Sequence, residues 1–443
     1  VVFDTTILGS NPSAPAIRMI IKKPNLTFIR KVKNFFFPFY KSNEIKLIFK
    51  ILEKNEPTNK KIAMFVGGCV RKHLLNEEVD DIDIATVLKP DEIKEKFKNS
   101  DIKIIESGID HGTLTLLLNN LKFEITTLRK DIKTDGRHAE VNFTEDWLND
   151  SQRRDFSINA IYLDKDGKIF DPQAGVNDLK NNIIKFIGNP NLRIEEDYLR
   201  IIRFIRFSIQ YKNNLIDSSV INSIKLNLGG ITKLSKERIF SELIKIFKLK
   251  NFDQILQLNE LKILFSLIFP EFRYIHRLNK LNLALGKKIN KNNTILILAV
   301  LLIDETNNHE YFCHKYKTSN EIRDKLSLIA KSFTKYKLDN NYLKRNLRRN
   351  IYFLGKDTMQ ELVLFLFVES TKMNEKNLVK YITNIKEAKI PKFPFDGRHI
   401  LKTGITEGKK IGIVLKKLEE KWIENNFSLS EESQINIINN LKD

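Results

Sequence analysis

The segment Ile62-Ala-Met-Phe-Val-Gly-Gly-Cys-Val-Arg71, followed by Asp81-Ile-Asp83, decides the fold of the first part of the chain. Its apolar run predicts a short buried strand over 62–66, and the glycine pair that ends this run predicts a tight turn into a helix over 70–75. The two aspartates open a second strand-like run, and side chains at i and i+2 of a strand point to the same side. This order of elements predicts a small α/β unit.

Further runs on both sides of this segment extend the same unit. Apolar residues recur at helical spacing over 42–55, and strand-like runs follow the aspartates. Beyond residue 152 two more runs look β-like, and amphipathic helices then dominate from Ile194 to the end of the chain. The strand-like runs lie at 82–86, 102–106, 113–118 and 122–127, and the two later ones at 158–163 and 183–186.

The predicted fold class is therefore α+β, with a small N-terminal head that holds a mixed β-sheet and a mostly α-helical neck, body and tail after it. The 443 residues are too many for one core at ~100 to 200 residues per domain. No tandem repeat or low-complexity linker separates the domains, so we expect them to abut. The predicted parts are an extension over 1–41, a head over 42–152, a neck over 153–250, a body over 251–345 and a tail over 346–443.

The charge balance of the chain is strongly basic. Lys and Arg number 75 against 55 Asp and Glu, which gives a net charge of +20 and predicts a polyanionic partner. Nucleic acid is favoured over an anionic membrane surface, although a composition rich in Lys, Asn and Ile accounts for part of the charge. No apolar run reaches the ~18 residues of a membrane-spanning helix, so no membrane partner is expected.

The cysteines bear on the cellular compartment. Cys69 and Cys313 are the only two, and they show no Cys-x-x-Cys spacing, so neither a disulfide framework nor a zinc site is predicted. A reducing, cytoplasmic location fits this usage. The basic, acid-free segment 20–41 is also compatible with a transit peptide, so an organellar location stays open as the alternative.

Asp81 and Asp83 are the predicted metal ligands and catalytic carboxylates. Two carboxylates on one side of a strand can ligate a pair of Mg²⁺ ions, as phosphoryl transfer requires. The turn at Gly67 and Gly68 lets backbone amides approach a triphosphate, and Arg71 adds positive charge. A lone Asp-x-Asp is more often a solvated turn, but the upstream Gly-Gly-x-x-Arg reverses that preference.

Two further stretches supply candidate groups. Glu124 alternates with apolar neighbours on its strand, so it lies on the opposite face from them. Three roles stay open for it: it completes the metal cluster, it activates the attacking hydroxyl, or it is an ordinary exposed glutamate. In Arg153-Arg-Asp-Phe-Ser-Ile-Asn159, two guanidiniums suit phosphate oxygens, and Asp155 and Asn159 suit a ribose 2′-hydroxyl. The alternative for this stretch is a helix start capped by Asp155 or Ser157.

A helix predicted over 195–207 carries a polar face. At 100° per residue, Asp197, Arg200 and Arg203 gather on one side, opposite a face of isoleucines. A carboxylate beside a guanidinium offers the acceptors and donors that the Watson–Crick edge of cytosine or adenine requires. The alternative is a surface ion pair, which contributes only about 0.2–0.5 kcal/mol.

In this order and spacing the motifs resemble those of class II tRNA nucleotidyltransferases, the family of CCA-adding enzymes and bacterial poly(A) polymerases. The resemblance covers roughly residues 60–250, with a weaker match from Phe393 to Trp422. It implies that Asp81 and Asp83 bind two Mg²⁺ ions in a nucleotidyltransferase head. It also implies that the helix over 234–243 braces the nucleotide pocket.

The same resemblance implies roles for the arginine-rich motifs. Gly68, Arg71 and Arg154 would contact the nucleotide, while Asp197 and Arg200 would read its base. Arg203 and Arg206 would lie near the triphosphate. The complete set of candidate nucleotide-binding residues is Gly67, Gly68, Arg71, Arg154, Asp155, Asn159, Asp197, Arg200, Arg203 and Arg206.

The predicted activity is template-independent addition of C-C-A to the 3′ end of tRNA from CTP and ATP. The segment Gly108-Ile-Asp-His-Gly-Thr113 is similar to that of CCA-adding members, and the run 130–150 resembles the loop that the family ties to switching from C to A. A poly(A) polymerase that adds AMP to RNA and a non-catalytic RNA-binding protein are the alternatives. Lys72 and Asn76 depart from the family pattern, which usually has Asp and Gly there, and neither departure touches the metal pair.

Overall fold

The computed structural model describes residues 36–58, 60–109, 112–134, 139–213, 215–285, 293–339, 341–370 and 373–440. The chain divides into two compact units: the first ends at residue 181 and also includes 185–188, and the second comprises 182–184 and the chain from 189 onward. The first unit thus runs past residue 152, where we expected the head to end. The five-part division stays a prediction, and residues 1–35 of the expected extension lie outside the described ranges.

The first unit contains a mixed β-sheet, as predicted, and this sheet has seven strands. Its elements are α1 (Asn43–Leu52), β1 (Ala63–Val66), α2 (Gly68–Leu74), β2 (Ile82–Thr86), α3 (Pro90–Phe97), β3 (Lys103–Gly108), β4 (Thr113–Leu118), β5 (Leu121–Thr127), β6 (Arg129–Thr134), β7 (Ala139–Phe143), α4 (Trp147–Gln152), β8 (Tyr162–Leu163), β9 (Ile169–Phe170) and α5 (Gly175–Lys180). The sheet order is β3-β4-β5-β2-β1-β8-β9, in which β2 and β5 are parallel and the other neighbours antiparallel. Strands β6 and β7 form a separate ribbon.

Two of the later strand predictions are wrong in extent. In the run 158–163 only the last two residues form a strand, and residues 157–159 form a 3-10 turn. In the run 183–186 only Phe186 pairs, through an isolated bridge to Phe156. Both runs contain buried apolar side chains, and a short apolar run does not distinguish a buried turn from a strand.

The described part of the second unit consists of helices and their connections, as predicted. Its longest helix, α15, has 28 residues, and α12 buries an almost continuous apolar run. The helices are α6 (Pro190–Glu196), α7 (Leu199–Gln210), α8 (Ser218–Asn227), α9 (Lys236–Phe247), α10 (Asn259–Ile268), α11 (Arg277–Leu285), α12 (Thr294–Leu302), α13 (Asn308–Lys315), α14 (Asn320–Leu338), α15 (Tyr342–Glu369), α16 (Glu375–Glu387), α17 (Gly397–Leu401), α18 (Gly408–Glu424) and α19 (Glu431–Asn439). No described helix is long and apolar enough to cross a membrane.

The helix predicted over 195–207 is broken at Asp197. Helix α6 ends at Glu196, Asp197 has an extended backbone with φ −154° and ψ 103°, and α7 begins at Leu199. The Asp197 carboxylate accepts the backbone N–H of Leu199, two residues on, at 3.1 Å, a local bond by which aspartate competes with helical backbone bonding. The predicted isoleucine face is nevertheless buried along α7, at positions 201, 202, 205 and 209.

Candidate active site

The turn between β1 and α2 brings backbone next to a predicted metal ligand. Gly67 has φ +74° and ψ −125°, a conformation that residues with a side chain rarely adopt. A Cβ on Gly67 would lie 3.4 Å from Oδ2 of Asp83, and one on Gly68 would lie 4.0 Å from the same atom. The glycine pair therefore leaves bare main chain beside Asp83, and α2 begins at Gly68 rather than at residue 70.

Three carboxylates come together where β2 and β5 run side by side. Asp81 is exposed immediately before β2, Asp83 is half-buried within it, and Glu124 of β5 pairs with Asp83 in the parallel register. Glu124 is partly exposed while Phe123 and Ile125 on either side of it are fully buried. The predicted alternation of this strand is confirmed, and it places the glutamate beside the aspartates.

The electrostatic environment of Asp83 favours binding of a cation. Burial raises the pKa of Asp83, and the charges of Glu124 and Asp81 raise it further, whereas the charges of Arg154 and Arg71 lower it. A carboxylate surrounded by like charges gains stability when a divalent ion binds, and carboxylate oxygens are ligands that Mg²⁺ prefers. In the chemistry of their donor atoms, Asp81 and Asp83 therefore suit the predicted metal.

Lys122 is a basic group at this cluster that sequence reasoning missed. Its ammonium donates a hydrogen bond to Glu124, and this bond, followed by the charges of Glu124, Asp81 and Asp83, raises the pKa of Lys122. Among the described residues, no three His, Cys, Asp or Glu side chains are arranged to hold a metal ion. Glu124 is here the partner of Lys122, and its catalytic role stays a prediction. The only signal in the sequence was the i,i+2 spacing on one strand.

Arg71 belongs to a buried polar network with the predicted ribose-binding residues. Its guanidinium donates to the Oδ1 atom of Asn159, and the Nδ2 atom of Asn159 donates to Oδ1 of Asp155 at 2.6 Å. Asp155 and Asn159 are both buried. The capped helix start that was the alternative for this stretch does not form, because residues 157–159 make a 3-10 turn without a side-chain cap, and Ser157 donates to Asp178 instead.

The neighbouring arginines share one acceptor, Asp150, which sequence reasoning missed. Arg153 Nε donates to Oδ1 of Asp150 at 2.7 Å, and Arg154 Nη2 donates to Oδ2 at 2.9 Å. Burial alone would raise the pKa of Asp150, but the charges of Arg154 and Arg153 hold it well below its usual range. The available signal was an acid three and four residues before two arginines, which is the helical spacing for ion pairs.

Asp197 and Arg200 do not share one helical face, so that part of the prediction is wrong. Oδ2 of Asp197 accepts from Nη2 of Arg238 on α9 at 2.8 Å. Arg200 Nη1 donates to Glu196 at 2.6 Å and to the carbonyl of Arg193 at 2.7 Å. Asp197 lies outside α7, Arg200 lies within it, and each of the two side chains has a different partner.

Arg206, predicted to lie near the triphosphate, forms an ion pair with a buried glutamate of α9. Its Nε donates to Oε2 of Glu242 at 2.8 Å, and Lys245 donates to Oε1 at 2.6 Å. Burial would raise the pKa of Glu242, but the charges of Arg206, Lys245 and Arg203 lower it. The carboxylate of Glu242 on α9 thus lies among three cationic side chains. Helix α9 overlaps the helix predicted over 234–243 to brace the pocket.

The remaining sequence predictions fall partly outside the described residues. Positions 110 and 111 of the segment 108–113 and positions 135–138 of the run 130–150 are not described. Lys72 donates to Asp80, and its exclusion from the site stays a prediction. Asn76 has φ +57°, a left-handed conformation that asparagine tolerates better than most residues, so it can replace the usual glycine.

The head sheet and its paired aspartates define the head of a nucleotidyltransferase. Residues 63–185 match the family model of the poly A polymerase head domain, and residues 215–275 match the model described as a probable RNA and SrmB-binding site of polymerase A. The first match includes the glycine turn, both aspartates and the Arg153-Arg154 motif.

Similar proteins then specify the family. The human mitochondrial CCA tRNA nucleotidyltransferase 1 is 32% identical over 382 residues, which is 84% of this chain and 85% of the human one. The CCA-adding enzyme of Lactobacillus johnsonii is 31% identical over 378 residues, 83% of this chain and 91% of the bacterial one. The chain therefore belongs to the family of CCA-adding tRNA nucleotidyltransferases, and the resemblance stated from its motifs is confirmed.

Solved structures share the fold. The Bacillus stearothermophilus CCA-adding enzyme in complex with CTP has a TM-score of 0.65 at 19% identity, and the similarity covers 90% of this chain and 98% of the other. The Thermotoga maritima CCA-adding enzyme complexed with tRNA has a TM-score of 0.57 at 22% identity, over 90% of this chain and 95% of the other. The α+β class, with a mixed-sheet head and a helical remainder, is thus common to these proteins.

Replacing Glu242 by Gln should lower the free energy of unfolding by about 3 kcal/mol at pH 7, because Arg206 then loses a buried partner. The folded-state pKa of Glu242 lies below its ordinary value of 4.5, so the contribution is fully present above that pH and is lost as the pH falls below it. Urea unfolding of both proteins at several pH values should show the largest difference at pH 7 and a smaller one below pH 4.5.

Glu237→Gln is the matched control on the same helix, since Glu237 is largely exposed and pairs with Lys317 at 3.3 Å. Its effect should stay within about 1 kcal/mol. A difference between the Glu242 variant and the unsubstituted chain that does not change with pH would contradict the prediction.

Proposed function

We propose that this chain adds C-C-A to the 3′ end of tRNA, without a template, using CTP and ATP and releasing pyrophosphate. The observation that carries the proposal is the placement of Asp83, the second of the paired aspartates, beside the Gly67 turn. The chain that carries it is 32% identical over 382 residues to a protein named as a CCA tRNA nucleotidyltransferase. The tRNA is its macromolecular partner.

Asp81 and Asp83 would hold the metal. Two Mg²⁺ ions bound there would lower the pKa of the attacking 3′-hydroxyl and stabilise the charge on the leaving pyrophosphate. The Gly67 turn would expose main-chain amides to the triphosphate without interference from a side chain. Arg71 and Arg154 would balance the negative charge of substrate and carboxylates.

Selection of the base would fall to the polar groups at the break between α6 and α7. Asp197 supplies acceptors and Arg200 supplies donors, which suit the Watson–Crick edges of cytosine and adenine. In the structure these groups are bound by Arg238 and Glu196. A bound base would replace those partners, so the protein would select nucleotides by exchange of hydrogen bonds.

The cytoplasmic location inferred from cysteine usage remains part of the proposal. The curated relatives include bacterial enzymes and proteins of zebrafish, mouse and human that are named as mitochondrial. Fusion of the chain to a fluorescent protein in eukaryotic cells would separate a cytosolic from an organellar signal.

One experiment separates the proposed activity from the alternatives. The full chain is incubated with Mg²⁺ and a tRNA that ends before C-C-A, with each nucleoside triphosphate alone and with all four, and the 3′ ends are sequenced. Ends of C-C-A from CTP and ATP are expected. Extension of generic RNA by ATP alone would identify a poly(A) polymerase, and binding without extension would identify a non-catalytic RNA-binding protein.

Asp81→Asn and Asp83→Asn should each lower nucleotide incorporation by roughly a thousandfold, because loss of a metal ligand removes several kcal/mol of transition-state stabilisation. Asp80→Asn is the matched control, since Asp80 precedes the pair and binds Lys72, and it should stay within about threefold. Incorporation by either of the first two variants at the level of the control would rule out the metal assignment.

Arg200→Ala should relax the choice of base, lowering the ratio of CTP to UTP incorporation by about tenfold, because one bidentate hydrogen-bonding group contributes roughly 1–3 kcal/mol of discrimination. Arg193→Ala is the control, since Arg193 also forms an ion pair with Glu196 but has no predicted contact with the base. Unchanged proportions of the four nucleotides in the Arg200 variant would show that this residue is not the selector.

A further inference from the structure

The carboxylate of Asp150 is the centre of a buried hydrogen-bond network in the head. The residue is fully buried, and besides both arginines it accepts the hydroxyl of Tyr162 at 2.7 Å. Its Oδ1 also accepts the backbone N–H of Arg129 at 3.4 Å. An unpaired buried carboxylate is strongly unfavourable, whereas one with several donors is fixed in place. Asp150 therefore joins the Arg153-Arg154 motif to the first residue of β6.

The position of Arg154 depends on this network. Its Nε and Nη2 both face Oδ2 of Asp150, at 3.1 and 2.9 Å, and Nε also donates to the Tyr162 hydroxyl at 3.0 Å. The guanidinium carbon lies 5.2 Å from the centroid of the Tyr162 ring. A planar guanidinium group that is hydrogen-bonded along one edge and lies against an aromatic ring is restricted to few orientations.

The place where Arg154 is held matters for the site. Its charge reaches Asp83 and favours the ionised form of that carboxylate. Its Nη1 lies 3.5 Å from the carbonyl of Asn159, whose side chain binds Arg71. The edge of Arg154 that faces away from Asp150 is thus directed toward the residues expected to receive the nucleotide.

We propose that Asp150 is a positioning residue for nucleotide binding. It holds the guanidinium of Arg154 in place and connects it, through the backbone N–H of Arg129, to the start of β6. The inference rests on the proposed function, because it assigns Arg154 to the nucleotide. Asp150 acts through Arg154 and touches no reacting atom. Loss of its charge should therefore weaken the binding of CTP and ATP while leaving the binding of tRNA unchanged.

Steady-state incorporation by the full chain, with tRNA lacking C-C-A, tests this inference. Asp150→Asn keeps the shape of the side chain and should raise the KM for CTP and for ATP roughly tenfold, because a displaced binding group costs one to two orders of magnitude. The KM for tRNA should stay within about twofold. The control is Asp164→Asn, which removes a head carboxylate that binds Lys61 at 3.1 Å. An unchanged nucleotide KM in Asp150→Asn would overturn the inference.

A second pair of variants distinguishes positioning from general destabilisation. Lysine at 154 keeps the charge but lacks the fork, so adding Asp150→Asn to Arg154→Lys should change the nucleotide KM by less than about twofold. If the double variant instead raises the nucleotide KM by the product of the two single effects, Asp150 does not act through Arg154, and the inference is overturned.

Tyr162→Phe provides a variant that keeps both charges and serves if Asp150→Asn fails to fold. It removes only the hydroxyl that bonds Asp150 and Arg154, and it should raise the nucleotide KM by about threefold. An unchanged KM there would overturn the inference. Failure of the proposed function is recognised separately, because the unsubstituted chain would then leave tRNA without C-C-A unextended.

Discussion

The charge balance around Asp83 is the constraint on which the first unit depends. The side chain is half-buried and stands beside Glu124 and Asp81, so its ionised form is opposed by burial and by two like charges. Arg71 and Arg154 compensate for this, and each of them is held by its own acceptor. Asn159 accepts from Arg71, and Asp150 accepts from Arg154. The carboxylate of Asp83 is thus compensated by two arginines, and each arginine is in turn held by an acceptor of its own.

Local periodicity predicted much of the head. The bounds of β2 and β4 agree with the sequence runs, and the placement of Glu124 follows from the two-residue repeat of a strand. Periodicity failed where hydrogen bonding decides the backbone. At the break, the side chain of Asp197 binds the N–H of Leu199, and such a local bond from a carboxylate to the backbone interrupts a helical pattern that otherwise continues across it.

The partners of the site residues were the part that sequence could not supply. Arg238 meets Asp197 across 41 positions, and Glu242 meets Arg206 across 36. Such pairs depend on how helices pack, and no spacing rule along one chain encodes them. Asp150 is the informative exception: it was close enough in sequence to Arg154 to be found by helical spacing, but only the structure shows that it is buried and shared.

The two ion pairs in the second unit differ in how readily they can be exchanged. Asp197 and Arg238 are both partly exposed, at 23% and 30% of their side chains, whereas Glu242 is only 4% exposed. Water can replace a partner at the first pair, but at the second a lost partner leaves a buried charge. Asp197, which is expected to meet a variable base, thus has a partner that water can replace, whereas Arg206, which is expected to meet the constant triphosphate, has a buried one.

The bare turn at Gly67 has a consequence for how such a protein can change. Main-chain amides are the same in every residue, so a surface made of them recognises what all nucleotides have in common and ignores what distinguishes them. If the turn binds the triphosphate as proposed, mutation there would impair the reaction without redirecting it, because the positive φ of Gly67 disfavours other residues. Under the proposed function, new nucleotide preferences would arise among the base-reading residues of the helical unit, while the head kept its chemistry.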